Sequence, residues 1–216
     1  GRARRHRQAR EGAAGWGEWS PFLDYSGDEI VPWLRCALEA AEVGFPEPVR
    51  DQVPVNVTVP AVDPERAFAI ARGSGCTTAK VKVAEPGETL ADDHARVEAV
   101  RSALGASGRL RVDANGAWSV DEAERAVRSL RKFDLEYVEQ PCRDVTELAE
   151  LRRRIVGLDV LIAADESIRR SGDPERVRDL EAADIAVLKV QPLGGVRRCL
   201  ELAERLGMPV VVSSAL

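Results

Sequence analysis

The feature that most constrains the fold of this chain is a repeat of short apolar runs separated by amphipathic segments. Seven runs rich in valine and isoleucine follow one another from Val53 onward, and segments of about 12–15 residues with one apolar face separate them. The runs are VPVNVTV, TAKVKV, RLRVDAN, EYVEQP, DVLIAADES, DIAVLKVQP and MPVVVSS. Runs that are apolar on both faces and alternate with helices predict βαβ units and a buried parallel sheet.

The spacing of the runs distinguishes between the two common versions of such a fold. Polar residues at the ends of the second to seventh runs are 31, 26, 26, 24 and 24 residues apart. Even spacing favours a (β/α) barrel, and the first run is followed by AVDPERAF instead of the glycine-rich turn of a doubly wound sheet. Because a closed barrel has eight strands and the chain ends just past the seventh run, we expect a barrel without its eighth strand. The marker residues are Lys82, Asp113, Glu139, Asp165, Lys189 and Ser213.

Residues 1–50 differ from the repeat and predict a separate, incomplete domain. They contain AGWGEWSPFLDY, the helical pattern IVPWLRCALEAA and the start of a proline-bearing linker, GFPEPVRDQVP. We expect a partial α+β capping domain with its linker at residues 1–50 and the barrel at residues 51–216. Within the barrel, Asp63-Pro64 and Asp173-Pro174 each place a capping carboxylate before a proline, which predicts two helix starts.

Composition excludes several classes of protein. The chain has 216 residues, of which 44% are hydrophobic and 31% charged, which is unlike a disordered or collagen-like chain. Its net charge of −5 argues against a general nucleic-acid binder, and no apolar run approaches the roughly 20 residues of a membrane span. The start, GRARRHRQAR, lacks the apolar core of a signal peptide. Four scattered cysteines without C-x-x-C spacing predict small apolar residues, so we expect a reduced, cytoplasmic protein.

Lysine is rare in this chain, and its positions are informative. The sequence has 27 arginines and only four lysines, and Lys132, in a predicted helix end, is the one away from a strand end. Lysine, unlike arginine, can be tuned to lose its proton near neutral pH. The active site of a barrel lies at the carboxyl ends of its strands, so Lys82 and Lys189, from the second and sixth strands, are predicted to face each other across the mouth. Lys80 lies on the same strand face as Lys82.

Three carboxylates, Asp113, Glu139 and Asp165, end the third, fourth and fifth runs. Like charges at close range repel, and a divalent cation removes that repulsion. Hard oxygen ligands without histidine or cysteine favour Mg²⁺, with Mn²⁺ as a substitute. The alternative for each carboxylate is an ion pair with an arginine or a helix cap. A metal that binds a substrate carboxylate next to a lysine base predicts proton abstraction beside that carboxylate.

Other polar residues near the strand ends are weaker candidates. Arg111 precedes Asp113 on the same strand face, and Asn115 follows just beyond it. Ser213 and Ser214 end the seventh run, where they can donate to a substrate carboxylate. Gly194-Gly195, between a strand and a helix, predicts either an anion-binding helix start or an ordinary loop.

The motifs TAKVKV, VDAN, VEQP, ADES and LKVQPLGG, in this order, resemble the muconate-lactonising subgroup of the enolase superfamily. Members carry a Lys-x-Lys on strand two, metal-ligating carboxylates on strands three to five and a lysine on strand six. The resemblance covers Val53 to Leu216 and implies an enolase-type (β/α) barrel. AGWGEWSPFLDY and the final SSAL are similar to the dehydratases of this subgroup that serve menaquinone biosynthesis.

The resemblance implies a metal-dependent lyase that dehydrates a succinyl-bearing hydroxy-cyclohexadiene carboxylate in the syn sense. Lys82 would remove the α-proton and return a proton to the departing hydroxyl, and Lys80 would support it. Lys189 would stabilise the enediolate from the opposite face. The metal ligands would be Asp113, Glu139 and Asp165, with Arg111 and Asn115 supporting the metal and the pocket.

Two other functions stay open. The same lysine pair can act as two bases in an N-acylamino-acid racemase or a dipeptide epimerase. A chain without an eighth strand and with a partial cap can also be a non-catalytic remnant. In either enzyme the partner is a small carboxylate substrate, with no nucleic acid or membrane, and oligomeric state is not readable from the sequence.

Overall fold

The computed structural model describes residues 7–214, so the first six residues of GRARRHRQAR and the last two of SSAL lie outside the described part. The contacts among the described residues define two units. The sheet unit consists of residues 52–167 and 176–185. The three-segment unit consists of residues 7–51, 168–175 and 186–214. These contact-based units do not test the predicted domain boundary between residues 50 and 51, which stays a prediction.

The sheet unit contains five parallel strands whose order in the sheet follows their order in the chain. Branched residues fill the core between strands and helices, and Val81, Val112 and Val138 are fully buried. The first strand is shorter than the run VPVNVTV, because only its last three residues pair with the next strand. The strands are β3 (Val57–Val59), β4 (Thr78–Lys82), β5 (Arg109–Asp113), β6 (Leu135–Glu139) and β7 (Leu161–Ala164).

Helices separate these strands, and polar caps fix where the helices begin. The Asp63 carboxylate accepts a hydrogen bond from the Arg66 N–H at 2.9 Å, which confirms the first predicted helix start. The start predicted at Asp173-Pro174 is wrong, because residues 174 and 175 form a turn and the helix begins at Arg176. The helices are α2 (Pro64–Gly73), α3 (Leu90–Leu104), α4 (Val120–Leu130), α5 (Val145–Arg154), α6 (Glu166–Arg169, ending in the other unit) and α7 (Arg176–Asp179).

The three-segment unit combines an N-terminal hairpin and helix with the two last strands. A cluster of aromatic rings holds the N-terminal part together, with the Phe22 and Trp33 centroids 5.3 Å apart and those of Tyr25 and Trp33 5.4 Å apart. A π-helical turn, Glu39–Val43, follows its helix. The elements are β1 (Gln8–Gly12), β2 (Gly15–Trp19), α1 (Val31–Leu38), β8 (Ile185–Lys189, whose first residue belongs to the sheet unit), α8 (Val190–Leu193), α9 (Val196–Leu206) and β9 (Val210–Ser213).

The Gly194-Gly195 helix start binds a carboxylate that belongs to the chain itself. Glu39 accepts the Val196 N–H at 2.6 Å and the Arg197 N–H at 3.2 Å. Gly195 has a φ of 124°, and a Cβ there would lie 1.9 Å from the Glu39 carboxylate. Of the two interpretations of this motif, the anion-binding helix start is therefore correct, and its anion stabilises the unit.

All seven predicted runs contain a strand, and each strand pairs in parallel with a chain neighbour of its own unit. Cys36, Cys142 and Cys199 are buried, as expected of small apolar residues, whereas Cys76 is only half-buried. Among the described residues, no helix combines the length and the apolar character that crossing a membrane requires.

Candidate active site

The charged residues at the strand ends of the sheet unit lie in two rows across neighbouring strands. The backbone register places a residue of each strand directly beside a residue of the adjacent strand. Residues two positions apart on one strand lie on the same face of the sheet. The outer row, at the carboxyl ends, contains Lys82, Asp113 and Glu139, and the inner row contains Lys80, Arg111 and Tyr137.

Ion pairs connect the two lysines of β4 to the carboxylates of β5 and β6. Lys82 Nζ lies 2.7 Å from Asp113 Oδ2, and Lys80 Nζ lies 2.8 Å from Glu139 Oε1 and 3.2 Å from Asp113 Oδ2. The side chain of Lys80 is 11% exposed and that of Lys82 26%, so Lys82 is the more accessible of the two. Burial acts to lower the pKa of Lys80, but the charges of Glu139 and Asp113 outweigh it and raise that pKa above its ordinary value.

The environment shifts the pKa values of Asp113 and Glu139 in opposite directions. Burial raises the pKa of Glu139, and the charges of Asp113 and Asp165 add to the effect, so that this pKa reaches about 7 despite Lys80. Burial also acts to raise the pKa of Asp113, but Lys80 and Lys82 outweigh it and hold that pKa below its usual range. Neighbouring acids with separated pKa values in a buried cluster are typical of functional sites.

Asn115 connects Lys82 to the end of β7. Its backbone N–H donates to Asp113 Oδ1 at 3.0 Å, its Oδ1 accepts from Lys82 Nζ, and its Nδ2 donates to Glu166 Oε1 at 3.2 Å. The residue has a φ of 47°, which is uncommon outside glycine, and it lies in a turn directly after β5.

Arg111 belongs to the inner row and supports it. Its Nε donates to Glu136 Oε2 at 2.6 Å, and its Nη1 donates to Asn56 Oδ1 at 3.1 Å. The guanidinium carbon lies 4.9 Å from the centre of the Tyr137 ring, within the range of a cation–π interaction. Arg111 therefore ties together β5, β6 and the residues before β3.

Family models match both parts of the chain. Residues 64–216 match the enolase C-terminal domain-like family, and residues 2–41 match the enolase N-terminal domain-like family. The chain belongs to the enolase superfamily. Enzymes of this superfamily generally depend on a divalent metal ion.

Curated relatives of high identity include o-succinylbenzoate synthases. The o-succinylbenzoate synthase of Thermobifida fusca is 66% identical over 204 residues, which cover 94% of this chain and 63% of the relative. The synthase of Mycolicibacterium smegmatis is 56% identical over 208 residues, which cover 95% of this chain and 63% of the relative. The chain thus spans somewhat less than two thirds of the length of these relatives.

Solved structures confirm the enolase-type fold. The L-Ala-D/L-Glu epimerase of Bacillus subtilis has a TM-score of 0.78 at 23% identity and covers 95% of this chain and 73% of its own. The dipeptide epimerase of Enterococcus faecalis has a TM-score of 0.77 at 21% identity and covers 97% of this chain and 80% of its own. The N-succinyl Arg/Lys racemase of Bacillus cereus has a TM-score of 0.74 at 27% identity, and the match covers 85% of this chain and 54% of the racemase chain.

Three predicted site residues of this superfamily chain lie at the end of the last two strands. Lys189 pairs with Ser213 across β8 and β9. Ser214 follows as an exposed residue, and its carbonyl accepts from Ser213 Oγ at 3.5 Å. Because these residues belong to the three-segment unit, their part in a site with Lys82 stays a prediction.

The buried carboxylates at the strand ends have the chemistry, but not the arrangement, of a divalent metal site. In residues 7–214, no three histidine, cysteine, aspartate or glutamate side chains are arranged to hold a metal ion, and the lysine ammonium groups contact the carboxylates instead. Two observations nevertheless fit such an ion. Asp113, Glu139 and Asp165 supply hard oxygen donors that are almost fully buried, and Glu139 Oε2 is buried without a hydrogen-bond partner. The donor chemistry fits, and metal binding here is a proposal.

Sequence reasoning missed Gln140, which directly follows Glu139. Its side chain is fully buried, and its φ of 38° is rare for a residue with a side chain. The motif VEQP contains the residue, but glutamine carries no charge, so the pattern of charged residues at strand ends does not mark it.

Proposed function

We propose that this chain carries the catalytic machinery of an o-succinylbenzoate synthase, a metal-dependent hydro-lyase. The observation that carries the proposal is the buried cluster of Lys80 and Lys82 with carboxylates at the ends of consecutive strands. The curated relatives, which are 54–66% identical, support the choice of reaction. The substrate would be a succinyl-bearing hydroxy-cyclohexadiene carboxylate, and the product an aromatic acid of menaquinone biosynthesis.

Lys82 is the proposed base because it is the more exposed lysine and lies at the very end of β4. It removes the α-proton, and the electron pair of the broken C–H bond enters the substrate as an enediolate. The C–O bond then breaks, and the ammonium proton of Lys82 leaves with the hydroxyl as water. Lys80, which is held as a cation by Glu139 and Asp113, raises the positive potential at the base.

Asp113, Glu139 and Asp165 are the proposed ligands of a divalent metal ion, Mg²⁺ by preference with Mn²⁺ as a substitute. When bound, the ion stabilises negative charge on the substrate carboxylate. The three carboxylates would hold the ion in the buried position where they otherwise repel one another and where Glu139 Oε2 has no hydrogen-bond partner. Asn115 orients both Lys82 and Asp113, and Arg111 holds the inner row.

Lys189, Ser213 and Ser214 remain proposed residues of the same reaction. Lys189 would stabilise the enediolate as a cation, and the serines would donate to the substrate carboxylate. A cytoplasmic location and the absence of nucleic-acid or membrane partners stay predictions from composition.

The direct test is an assay of the purified protein for o-succinylbenzoate formation with Mg²⁺, with and without a chelator. We expect product that disappears on chelation and returns with Mg²⁺ or Mn²⁺. Metal-independent product would contradict the metal role. A calorimetric Mg²⁺ titration of the protein and of Asp113→Asn tests the non-catalytic alternative, which predicts no binding or binding unaffected by the substitution.

Racemisation or epimerisation is the second candidate, favoured by the 27% identical N-succinyl Arg/Lys racemase. In a racemase both lysines exchange the α-proton, one from each face. Incubation of Lys189→Ala with each enantiomer of an N-succinylamino acid in D₂O distinguishes the candidates. Deuterium exchange retained from one face only indicates a racemase, whereas no exchange together with synthase activity of the unsubstituted protein indicates the dehydratase.

A further inference from the structure

Gln140 connects three neighbouring chain segments through its backbone: the loop after β5, the loop after β6 and strand β7. Its carbonyl oxygen accepts the Gly116 N–H, in the loop after β5, at 2.7 Å. Its own N–H donates to the Ala163 carbonyl, on β7, at 2.7 Å. Gln140 itself lies in the loop after β6, directly beyond Glu139. One residue therefore joins the chain segments that carry Asp113, Glu139 and Asp165.

The side chain of Gln140 extends the same connections. Its Oε1 accepts the backbone N–H groups of Asp165 at 2.9 Å and of Ser167 at 3.1 Å. Its Nε2 donates to Ser167 Oγ at 2.7 Å and to the Cys142 carbonyl at 2.9 Å. The amide thus uses both its donors and both lone pairs of its oxygen in a fully buried place.

The conformation of Gln140 indicates that these bonds hold it. A left-handed φ of 38° is unfavourable for a residue with a Cβ, and it persists only where the surroundings fix it. A glycine would adopt this φ more easily but would lose every side-chain bond. The position therefore requires both the turn and the amide, and a side chain of glutamine length provides both.

We propose that Gln140 is a positioning residue that sets the spacing of the three metal-ligating carboxylates. The inference rests on the proposed function, because it takes Asp113, Glu139 and Asp165 as the ligands. Gln140 contacts no ligand side chain through its amide and acts through the backbone instead. It fixes the N–H of Asp165 directly, Glu139 by adjacency, and the loop after Asp113 through Gly116.

The test is a Gln140→Met variant, whose side chain keeps the length and loses the hydrogen bonds. Residues that orient metal ligands typically change metal affinity by about 10–100-fold when replaced. We expect the Kd for Mg²⁺, measured by calorimetry, and the Kd for Mn²⁺, measured by electron paramagnetic resonance, to rise about 10-fold or more. At saturating metal, kcat falls while KM for the substrate changes little.

Two further variants separate positioning from stability. Val127→Ala removes buried volume in α4, so it lowers the melting temperature without moving the metal Kd. Ser167→Ala removes one partner of the Gln140 amide and is expected to weaken metal binding less than Gln140→Met does. Because both changes act on one network, their effects on the Kd are expected to be non-additive in the double variant.

The outcomes distinguish this inference from the proposed function. A Gln140→Met protein that binds Mg²⁺ as tightly as the unsubstituted protein would overturn the inference. If Gln140→Met does not fold, Ser167→Ala decides: a weaker Kd supports the positioning role, and an unchanged Kd refutes it. Metal binding by an unsubstituted protein that forms no o-succinylbenzoate would refute the proposed function alone. A protein that binds no divalent ion would refute both.

Discussion

The two ends of the strands in the sheet unit use different cations for different purposes. At the carboxyl ends of β4 to β6, Lys80 and Lys82 pair with the carboxylates of Glu139 and Asp113. At the amino ends, Arg101 donates to backbone carbonyl oxygens of the turns that precede β5 and β6, at distances of 2.7–3.0 Å.

A second arginine repeats the arrangement at the amino end of β7. Arg152 pairs with Asp184 at 2.8 Å, and the other oxygen of that carboxylate accepts the Ile162 N–H at 2.9 Å. Arginine is a permanent cation with a planar fork of donors, which suits a fixed clamp on the backbone. Lysine is a point charge whose proton can be exchanged. The amino ends are therefore built for stability, and the carboxyl ends have the groups for chemistry, as expected in barrels.

The largest expected effect is a loss of catalytic rate from a substitution at the carboxyl ends of the strands. Lys82→Ala removes the proposed base, and general-base catalysis contributes up to about 10⁴-fold in rate. We expect o-succinylbenzoate formation to fall by about that factor, while the urea midpoint of unfolding stays close to that of the unsubstituted protein, because Lys80 still pairs with Asp113. An enzyme that retains its kcat after this substitution would rule out Lys82 as the base.

Arg96 is an exception to this distribution of cations, because it is an arginine near the carboxyl ends of the strands. It is 2% exposed, and it donates to the Lys82 carbonyl at 3.0 Å and to Asp93 at 3.1 Å. Arg96→Ala leaves the buried Asp93 carboxylate without its cation, which costs about 3–5 kcal/mol. We expect this loss in the free energy of unfolding from urea titration. Replacing both residues, in Arg96→Met with Asp93→Asn, should recover part of the loss, and no recovery would mean that the pair is not coupled.

Arg101→Ala tests the structural side. The substitution removes hydrogen bonds to four carbonyl oxygens that are partly accessible to water, so we expect a loss of about 2 kcal/mol in the free energy of unfolding. The metal Kd and kcat should not change. Arg101→Lys is the matched control, because it keeps the charge and loses the fork of donors. An Arg101→Ala variant with normal stability and reduced kcat would contradict the assignment of the amino ends to stability alone.

The smallest expected effect concerns the cap of α4. The backbone N–H and the hydroxyl of Ser119 donate to Glu122 and hold its pKa below the usual range. A carboxyl group whose folded pKa is lowered stabilises the protein above its unfolded pKa, and this contribution disappears as the pH falls through the folded value. The stability difference between the unsubstituted protein and Glu122→Gln should therefore shrink between pH 6 and pH 3. A constant difference would contradict the role of the charge.

The sequence predicted the strands well, because strands depend on local pattern, whereas the metal-ligand roles of Asp113, Glu139 and Asp165 stay predictions. Valine-rich runs and their spacing locate the strands, and polar residues stand out at their ends. The pairing of Lys80 with Glu139 was not predictable, since it depends on the register across three strands. The short β3 was missed because Val53 and Val55 fit a strand pattern, yet they are 65% and 71% exposed. Gln140 was missed because no pattern marks a glutamine that adopts a left-handed φ.

The contact between Glu39 and the start of α9 has a consequence for the order in which the chain acquires structure. It joins residues that are 157 positions apart, whereas neighbouring strands of the sheet unit are joined through connections of a few tens of residues. Distant contacts require the closure of long loops, which slows their formation during folding. During synthesis the β4 to β7 strands can pair before the ribosome reaches α9, but the Glu39 cap has to wait for residues 196 and 197. In a refolding experiment with pulse labelling of amides, α9 should consequently become protected later than β5 and β6.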